Sequence, residues 1–537
     1  MFKSICAYIY AKATFVMKKN AKRIIYSIVG IIVFLSVVSL GANWWIDAQL
    51  SKLISEKNET PYYIQYKELE VSLFSKTIEA RGITIVPKER EKDSLAKNGI
   101  FATVERVSID NFAIFPLLFS NKIVAQTITV HRPKVTLFKN NDKTINSTKS
   151  IGSKVVKPFE QIVTVDDVNL EQGSFRILNL KNNKTLFSAQ NVTFQLDDIA
   201  ISDATLEQKI PFTYKSYAFR CDSLFYKTDD GYQIQSAKIA TTNVGVDIEK
   251  FAMVSVYNRR EFVNQLAKEK DLYTLKANKI SVKEMDWGFK EEKFFFKTNA
   301  IELSEMDANI YRSKMPEDDL TIKPLYNKLL RELPFTLQVD TLTVANSRLV
   351  YEEEKTFNKG AGKLEFTSFN LQATHLNSGF EQTKLPDVQI AIDCKFMKTS
   401  PMKVDWRFNP MDKSDGFTIK GRILNFETGR LAVFTKPYLN ATTKGTFDQV
   451  YFNFSGNDNQ ASGDFALKYH DLKIKLYQKN NRDKESKLKS WVGNLLLSDD
   501  SEGKLLENEV SVKRIKEKSF FNYFWRCIAE GLKKTLI

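Results

Sequence analysis

The chain has 537 residues, 43% of them hydrophobic and 27% charged, which excludes both a disordered polymer and a multispanning membrane protein. Three histidines and four cysteines, none close together, exclude a closely spaced Cys/His zinc site and a small disulfide scaffold. The net charge of +15 points to an anionic partner, and 39 phenylalanines mean that much aromatic surface is buried or presented.

Residues 1–23 end in Lys18, Lys19, Lys22 and Arg23. Residues 24–45 then run without a charge, 22 residues or about 33 Å of helix, enough to cross a bilayer core. Ile24, Phe34 and Leu35 supply apolar bulk, and Tyr26, Trp44 and Trp45 stand where interfacial aromatics belong. The positive flank places 1–23 in the cytoplasm and everything after the span across the membrane. The span is longer than a signal-peptide core and lacks a small-x-small cleavage site, so an uncleaved anchor is expected.

From 46 to 478 the apolar residues alternate with polar ones, as in Ile83–Ile85, Val107–Ile109 and Phe335–Leu337–Val339, the pattern of strands with one wet face. Asn98-Gly99, Asp230-Gly231 and Asp415-Gly416 punctuate them. Helices are expected only at Arg259–Asp271, Pro324–Arg331 and Ser519–Ile537. A 13-residue pattern recurs without gaps at Ala125–Leu137, Val165–Ile177 and Val339–Tyr351, with positions 1, 4, 6, 11 and 13 apolar. Ala277–Phe289 fits the apolar positions but has Met285 at position 9, where the others carry Pro133, Gly173 or Ser347. Each copy reads as strand, tight turn, strand. The expected fold is mainly β: a long, curled antiparallel sheet after the anchor, a β-groove with few helices. About 25 to 30 strands at the usual spacing exceed 100 Å, a length that twist permits only if the sheet curls.

Residues 479–518 read as a basic linker and the last strands, with Lys513, Arg514, Lys516 and Lys518 clustered before the final helix. In 519–537, Phe521, Phe524, Ile528 and Leu532 fall on one helical face, widened by Trp525. The segment serves equally as an interfacial helix on a membrane or as a cap on one end of the sheet.

Catalytic signatures are missing. The Asp-Asp pairs at 166–167, 197–198, 229–230, 318–319 and 499–500 point to opposite faces if on strands, and no nucleophile elbow, zincin or phosphate-loop motif is present. No enzyme activity, metal or cofactor is expected. Cys221 and Cys394 read as small hydrophobes rather than a bridge, though a bridge is open. Lys and Arg are interspersed with Asp and Glu, which argues against nucleic acid as the partner.

Residues 103–138, with Phe115–Pro116–Leu117–Leu118, Ile123, Ile128, Val130, Pro133, Val135 and Leu137, resemble the AsmA-like family of bacterial envelope proteins. The segment 63–85, with Gly82 where that family often has a small residue, is similar to its opening strand pair, and 444–476 to its C-terminal strands. The resemblance implies a single-pass inner-membrane anchor, a periplasmic β-groove and phospholipid transport or outer-membrane lipid homeostasis. Phospholipid and envelope proteins are the expected partners. Candidate groove-lining residues are Ile128, Val130, Val168, Leu170, Phe175, Leu342, Val344 and Leu349. The alternative is a scaffold or assembly factor for outer-membrane components, with a closed β core and no lipid.

Overall fold

Strand-forming alternation dominates the computed structural model, which describes residues 62–88, 99–116, 123–139, 163–200, 210, 212–478, 481–485 and 499–536. The expected anchor, with Ile24, Tyr26, Phe34, Leu35, Trp44 and Trp45, lies outside the described residues. Among the described residues no helix is long and apolar enough to cross a membrane.

Two compact units are present. The first, within 1–141, 145–184 and 192–217, contains β1 (Tyr62–Gln65), β2 (Glu68–Ser72), β3 (Thr77–Pro87), β4 (Gly99–Asp110), β5 (Ile123–His131), β6 (Lys134–Lys139) and β7 (Val163–Asn179). Strands β8 (Thr185–Asp197) and β9 (Ser216–Cys221) divide between the units. The second unit continues with β10 (Ser223–Lys227), β11 (Tyr232–Ser236), β12 (Lys238–Thr242), β13 (Gly245–Ser255), α1 (Arg259–Asn264), β14 (Asp271–Lys290), β15 (Lys293–Ser304), β16 (Asp307–Ser313) and α2 (Tyr326–Arg331). It ends with β17 (Thr336–Glu354), β18 (Gly362–Asn377), β19 (Val388–Phe396), β20 (Ser400–Phe408), β21 (Phe417–Glu427), α3 (Ala432–Leu439), β22 (Ala441–Gly456), β23 (Gln460–Gln478), β24 (Asn481–Glu485), β25 (Leu506–Lys513) and α4 (Phe520–Leu536).

The architecture is mainly β with few helices, but the pairing is mixed rather than antiparallel. Strands β5 and β6 run parallel to β7, and β15 and β16 run parallel to β17. A parallel neighbour needs a return crossover of a dozen residues or more, and 314–335, which carries α2, supplies one.

The repeat is real, and its middle is a bend, not a turn. Copies lie side by side in register: Ala125, Ile128, Val130, Val135 and Leu137 pair with Val165, Val168, Leu170, Phe175 and Ile177. Position 8 is left-handed in every copy: Arg132 (φ 48°), Gln172 (φ 55°), Glu284 (φ 51°) and Asn346 (φ 51°). A fifth copy, Thr298–Ile310, appears on β15 and β16, with Glu305 (φ 51°) at the same place. It pairs with Val339–Tyr351 position by position, Ile301 with Leu342 and Leu303 with Val344. Its polar Thr298 and small Ala308 at positions 1 and 11 hide it from the hydrophobic pattern.

The two parallel pairs share one hydrogen-bond scheme at the bend. The Arg132 N–H donates to the Glu171 carbonyl (2.8 Å) and the Ser174 N–H to that of Pro133 (2.7 Å). The Glu305 N–H donates to Ala345 (3.0 Å) and the Arg348 N–H to Met306 (2.7 Å), the same positions of the other pair. A left-handed non-glycine residue costs roughly 1–2 kcal/mol. What the bend gains is phase. Apolar positions 4 and 6 are even and 11 and 13 odd, so a straight strand would turn half of them to water. The bend returns them to one side: Val344 (position 6) and Leu349 (position 11) pack in the same cluster with Leu303, Met306 and Phe366. In the first unit Gly82 of β3 is also left-handed (φ 63°), and Arg132 donates to Gln172 (2.8 Å) and to Glu105 (3.1 Å) along the crease.

The helices are shorter than their patterns. Helix α1 starts in a capping box: the Asn258 side chain accepts from the Glu261 N–H, and the Glu261 carboxylate accepts from the Asn258 N–H, both at 3.0 Å. It buries Phe262 and Val263 against Tyr232, Leu272 and Tyr311, and Leu266 packs beside them after the helix has ended. Helix α2 begins two residues after Pro324 and is pinned to 409–416. Asn327 donates to the carbonyls of Asn409 and Gly416, and Arg331 donates to those of Pro410 and Asp412 and to the Asp415 carboxylate at 2.7 Å.

Candidate functional site

Register turns the alternation into continuous floors. In the first unit, Val71, Ile78, Ile109, Ile128 and Val168 form one row across β2, β3, β4, β5 and β7. Leu69, Ala80, Val107, Val130 and Leu170 form the next. Directly paired residues share a face, so both rows line the same side. Ile78 and Ile109 are buried beneath Phe112, Leu73 and Ile114, whereas Ile128, Val130, Val168, Leu170 and Phe175 are half-buried.

The second unit carries a longer floor. One row runs Cys221, Ile239, Ile248, Ile280, Leu303, Val344, Leu371, Ile392, Val404, Gly421, Phe452 and Phe465. The row beside it includes Val246, Val282, Ile301, Leu342, Ala373, Ile390, Trp406, Ile419 and Phe454. Twelve strands at about 4.8 Å make the first row about 50 Å long. The row on the opposite face reads Asp247, Ser281, Glu302, Thr343, Gln372, Ala391, Asp405, Lys420, Asn453, Asp464 and Glu509. Only one of those eleven is apolar, and its neighbours are ion pairs such as Lys279–Asp247 (3.1 Å) and Lys283–Glu302 (2.6 Å). One face is therefore greasy and the other polar along its whole length, with Ser281 the one buried member of that row.

Cover over this floor changes along the row. Ile239, Ile248, Ile280, Leu303, Leu371 and Ile392 are half-buried, and so are Leu342 and Leu349, while Val344 is buried. At the β20–β25 end the floor is sealed. Helix α4 lays Phe520, Tyr523, Cys527 and Gly531 onto Trp406, Phe417, Phe454 and Phe465, with Phe524, Ile528 and Leu532 packed alongside. Phe521 and Trp525 point away and are 61% and 48% exposed. The inward face is thus turned by one residue from the Phe521-based stripe. Gly531 sits inward because the Phe465 side chain leaves no room for a larger residue.

Among the described residues Cys221, Cys394 and Cys527 are free thiols. Burial pushes the Cys394 thiol up to about 12 and the Cys527 thiol up to about 11, with the Cys221 thiol raised as well. They act as small apolar parts of the core rather than nucleophiles.

Among the described residues carboxylates crowd together where β17 ends in Glu352, Glu353 and Glu354. Each is occupied. Arg259 pairs with Glu352 (2.5 Å), the Tyr311 hydroxyl donates to Glu354 (2.5 Å) and the Tyr351 hydroxyl to Glu353 (2.8 Å). Arg312 clasps Asp271 through two bonds of 2.6 and 2.7 Å. Burial first, then the neighbouring carboxylates, raises the Tyr311 and Tyr351 phenols far above their ordinary value. This network clamps β16 between β14 and β17, and no carboxylate in it stands open toward a reacting group. The sequence hid it because its members are spread from Arg259 to Glu354. No family model matches this chain, and no curated protein matches it.

Proposed function

We propose that the chain is a member of the AsmA-like family that carries phospholipid along its apolar floor. In this reading residues 24–45 anchor it in the bacterial inner membrane, 1–23 stay cytoplasmic, and the β-rich body stands in the periplasm. There it supports phospholipid transport or outer-membrane lipid homeostasis, with phospholipid and envelope proteins as partners. The observation that supports it is the pair of apolar rows crossing up to twelve strands with a polar row on the other face. An acyl chain needs only a continuous greasy surface, and a headgroup needs only nearby water, so such a floor guides lipid without covalent chemistry. In this reading the lipid path is lined by Leu342 and Val344 of these rows with Leu349 packed beside Val344, and in the first unit by Ile128, Val130, Val168 and Leu170 with Phe175, the partner of Val135.

Photo-crosslinking in cells tests this. A benzophenone side chain at Ile280, Ile301 or Leu342 is expected to capture phospholipid, and one at Glu302 or Gln372 on the wet face is not. Equal labelling of both faces, or no lipid adduct on either, overturns the proposal. The sealed cluster beneath α4 favours a second reading, a scaffold with a closed core. It predicts protein adducts from the wet face and none with lipid.

A further inference from the structure

Six exposed large apolar residues gather at the end of the second unit where the chain finishes. Phe521 and Trp525 lie one turn apart on the outer stripe of α4. Tyr326 of α2 contacts the Phe521 ring, with centroids 6.5 Å apart, and places the exposed Leu329 on the neighbouring helix. The segment that precedes α2 is tied to the segment that precedes α4. The Lys323 N–H donates to the Lys516 carbonyl (2.8 Å), Lys518 pairs with Asp318 (2.8 Å), and the buried Arg514 reaches both Asp458 and the Lys323 carbonyl. This tie brings Leu320 (68% exposed) and Ile322 (66% exposed) beside Ile515. Gathered apolar side chains on a surface mark a place of contact rather than chance exposure.

The charge around them selects the partner. Residues 511–536 hold seven basic and two acidic side chains. Asp318 and Asp458 are spent on Lys518, Lys516 and Arg514. No carboxylate among the described residues pairs with Arg526, Lys533 or Lys534, and two of these cations donate to backbone carbonyls, Arg526 to Lys513 (2.7 Å) and Lys534 to Glu509 (3.1 Å). Aromatic and branched apolar residues flanked by cations that have no carboxylate partner match a bilayer interface carrying anionic headgroups. A protein partner would select by shape rather than by sign, and sign is what this surface offers.

We infer that this end of the protein docks on an anionic membrane surface, with Phe521, Trp525 and Ile322 entering the headgroup layer and Arg526, Lys533 and Lys534 meeting lipid phosphates. The inference stands independently of the groove, since the docking residues face away from the floor.

The test uses the full chain held in nanodiscs of phosphatidylcholine, mixed with vesicles of phosphatidylcholine with or without phosphatidylglycerol and separated by flotation. Vesicles with phosphatidylglycerol are expected to carry the protein up, and neutral ones not. The double change Phe521→Ser and Trp525→Ser is expected to weaken this roughly tenfold or more, because two large apolar side chains are lost from the contact. Its thermal midpoint is expected to fall only slightly, since both side chains are about half exposed or more and Phe521 gives up only edge contacts with Tyr326 and Phe520. Lys533→Glu with Lys534→Glu is expected to weaken binding and its salt sensitivity together. Equal binding to neutral vesicles, no binding to either, or binding indifferent to both double variants overturns the inference. A lipid adduct at Leu342 with no flotation separates failure here from failure of the groove reading.

Discussion

Phe520 lies flat on Trp406, with ring centroids 4.4 Å apart and planes 9° from parallel. The stack fixes the first turn of α4 to β20, and Phe417 and Tyr326 meet the Phe520 ring edge-on at 5.1 and 6.0 Å. Four aromatics from three distant segments thereby hold α4 over β20 and β21, with β22, β23 and β25 following in the sheet. Aromatic pairs of this kind contribute roughly 0.5–1.5 kcal/mol each beyond burial.

The other end of α4 gives the first prediction. Gly→Ala in a helix normally stabilises by up to about 1 kcal/mol. At Gly531 the added carbon would run into the Phe465 ring, which is 0% exposed and has nowhere to go. Overpacking costs typically about 1–3 kcal/mol, so the sign reverses. Gly531→Ala is expected to lower the thermal midpoint, and a raised midpoint would show that α4 is not seated as described.

A second prediction concerns the bend at Asn346. Asn tolerates the left-handed region and Val does not. Asn346→Val is expected to destabilise by about 1–2 kcal/mol, and Asn346→Gly to be neutral or better. Thermal melts of both variants, beside Thr343→Val three residues away as a control, decide this. Equal effects of Asn346→Val and Thr343→Val would mean that the bend is not a constraint.

The buried thiols make a third. Cys221, Cys394 and Cys527 are neutral and covered. At pH 8 a polar maleimide is expected to leave all three unmodified in the folded protein and to label all three in denaturant, as read by peptide mass spectrometry. Rapid labelling of Cys394 in the native protein would contradict its placement beneath Phe369 and Val344.

The fourth is a titration. His470 is exposed, yet its hydrogen bond to Asp448 (3.0 Å), backed by the charge of that carboxylate, raises its pKa above the ordinary histidine value. A folded pKa above the unfolded one means that the pair stabilises fully below about pH 6.5, and that this support fades as pH rises through the folded value. NMR titration is expected to find His470 above about 6.5, and Asp448→Asn to bring it back down. An unshifted His470 in the native protein would dismiss the pair.

Much of the architecture was legible because strand alternation is a local signal. Ile128, Val168 and Leu342 were found from parity alone, and α4 from its 3.6-residue period. The bend was misread as a turn because both produce the same symptom, a slip in parity between positions 6 and 11. Only pairing distinguishes them, and pairing is not local. Strand direction was misread for the same reason: whether Ile128 faces Val168 in parallel or antiparallel depends on the path of the connection, not on either strand. Helix α3 escaped notice because Pro437 lies inside it and it spans only Ala432–Leu439. The inward face of α4 is displaced by one residue because Cys527 and Gly531 carry little hydrophobic weight, although the smallness of Gly531 is what lets the helix approach Phe465.

The bend recurs in copies that align with one another residue for residue, and each pair preserves which side faces the floor. A set consisting of a long strand, a bent strand and its parallel twin, as in β14, β15 with β16, and β17, occupies three strand widths, about 14 Å. Inserting or deleting such a set leaves the alternation of every other strand untouched. The reach of the molecule is therefore a matter of copy number, adjustable in whole steps by duplication of a gene segment, while its terminal helix needs to fit only the last few strands.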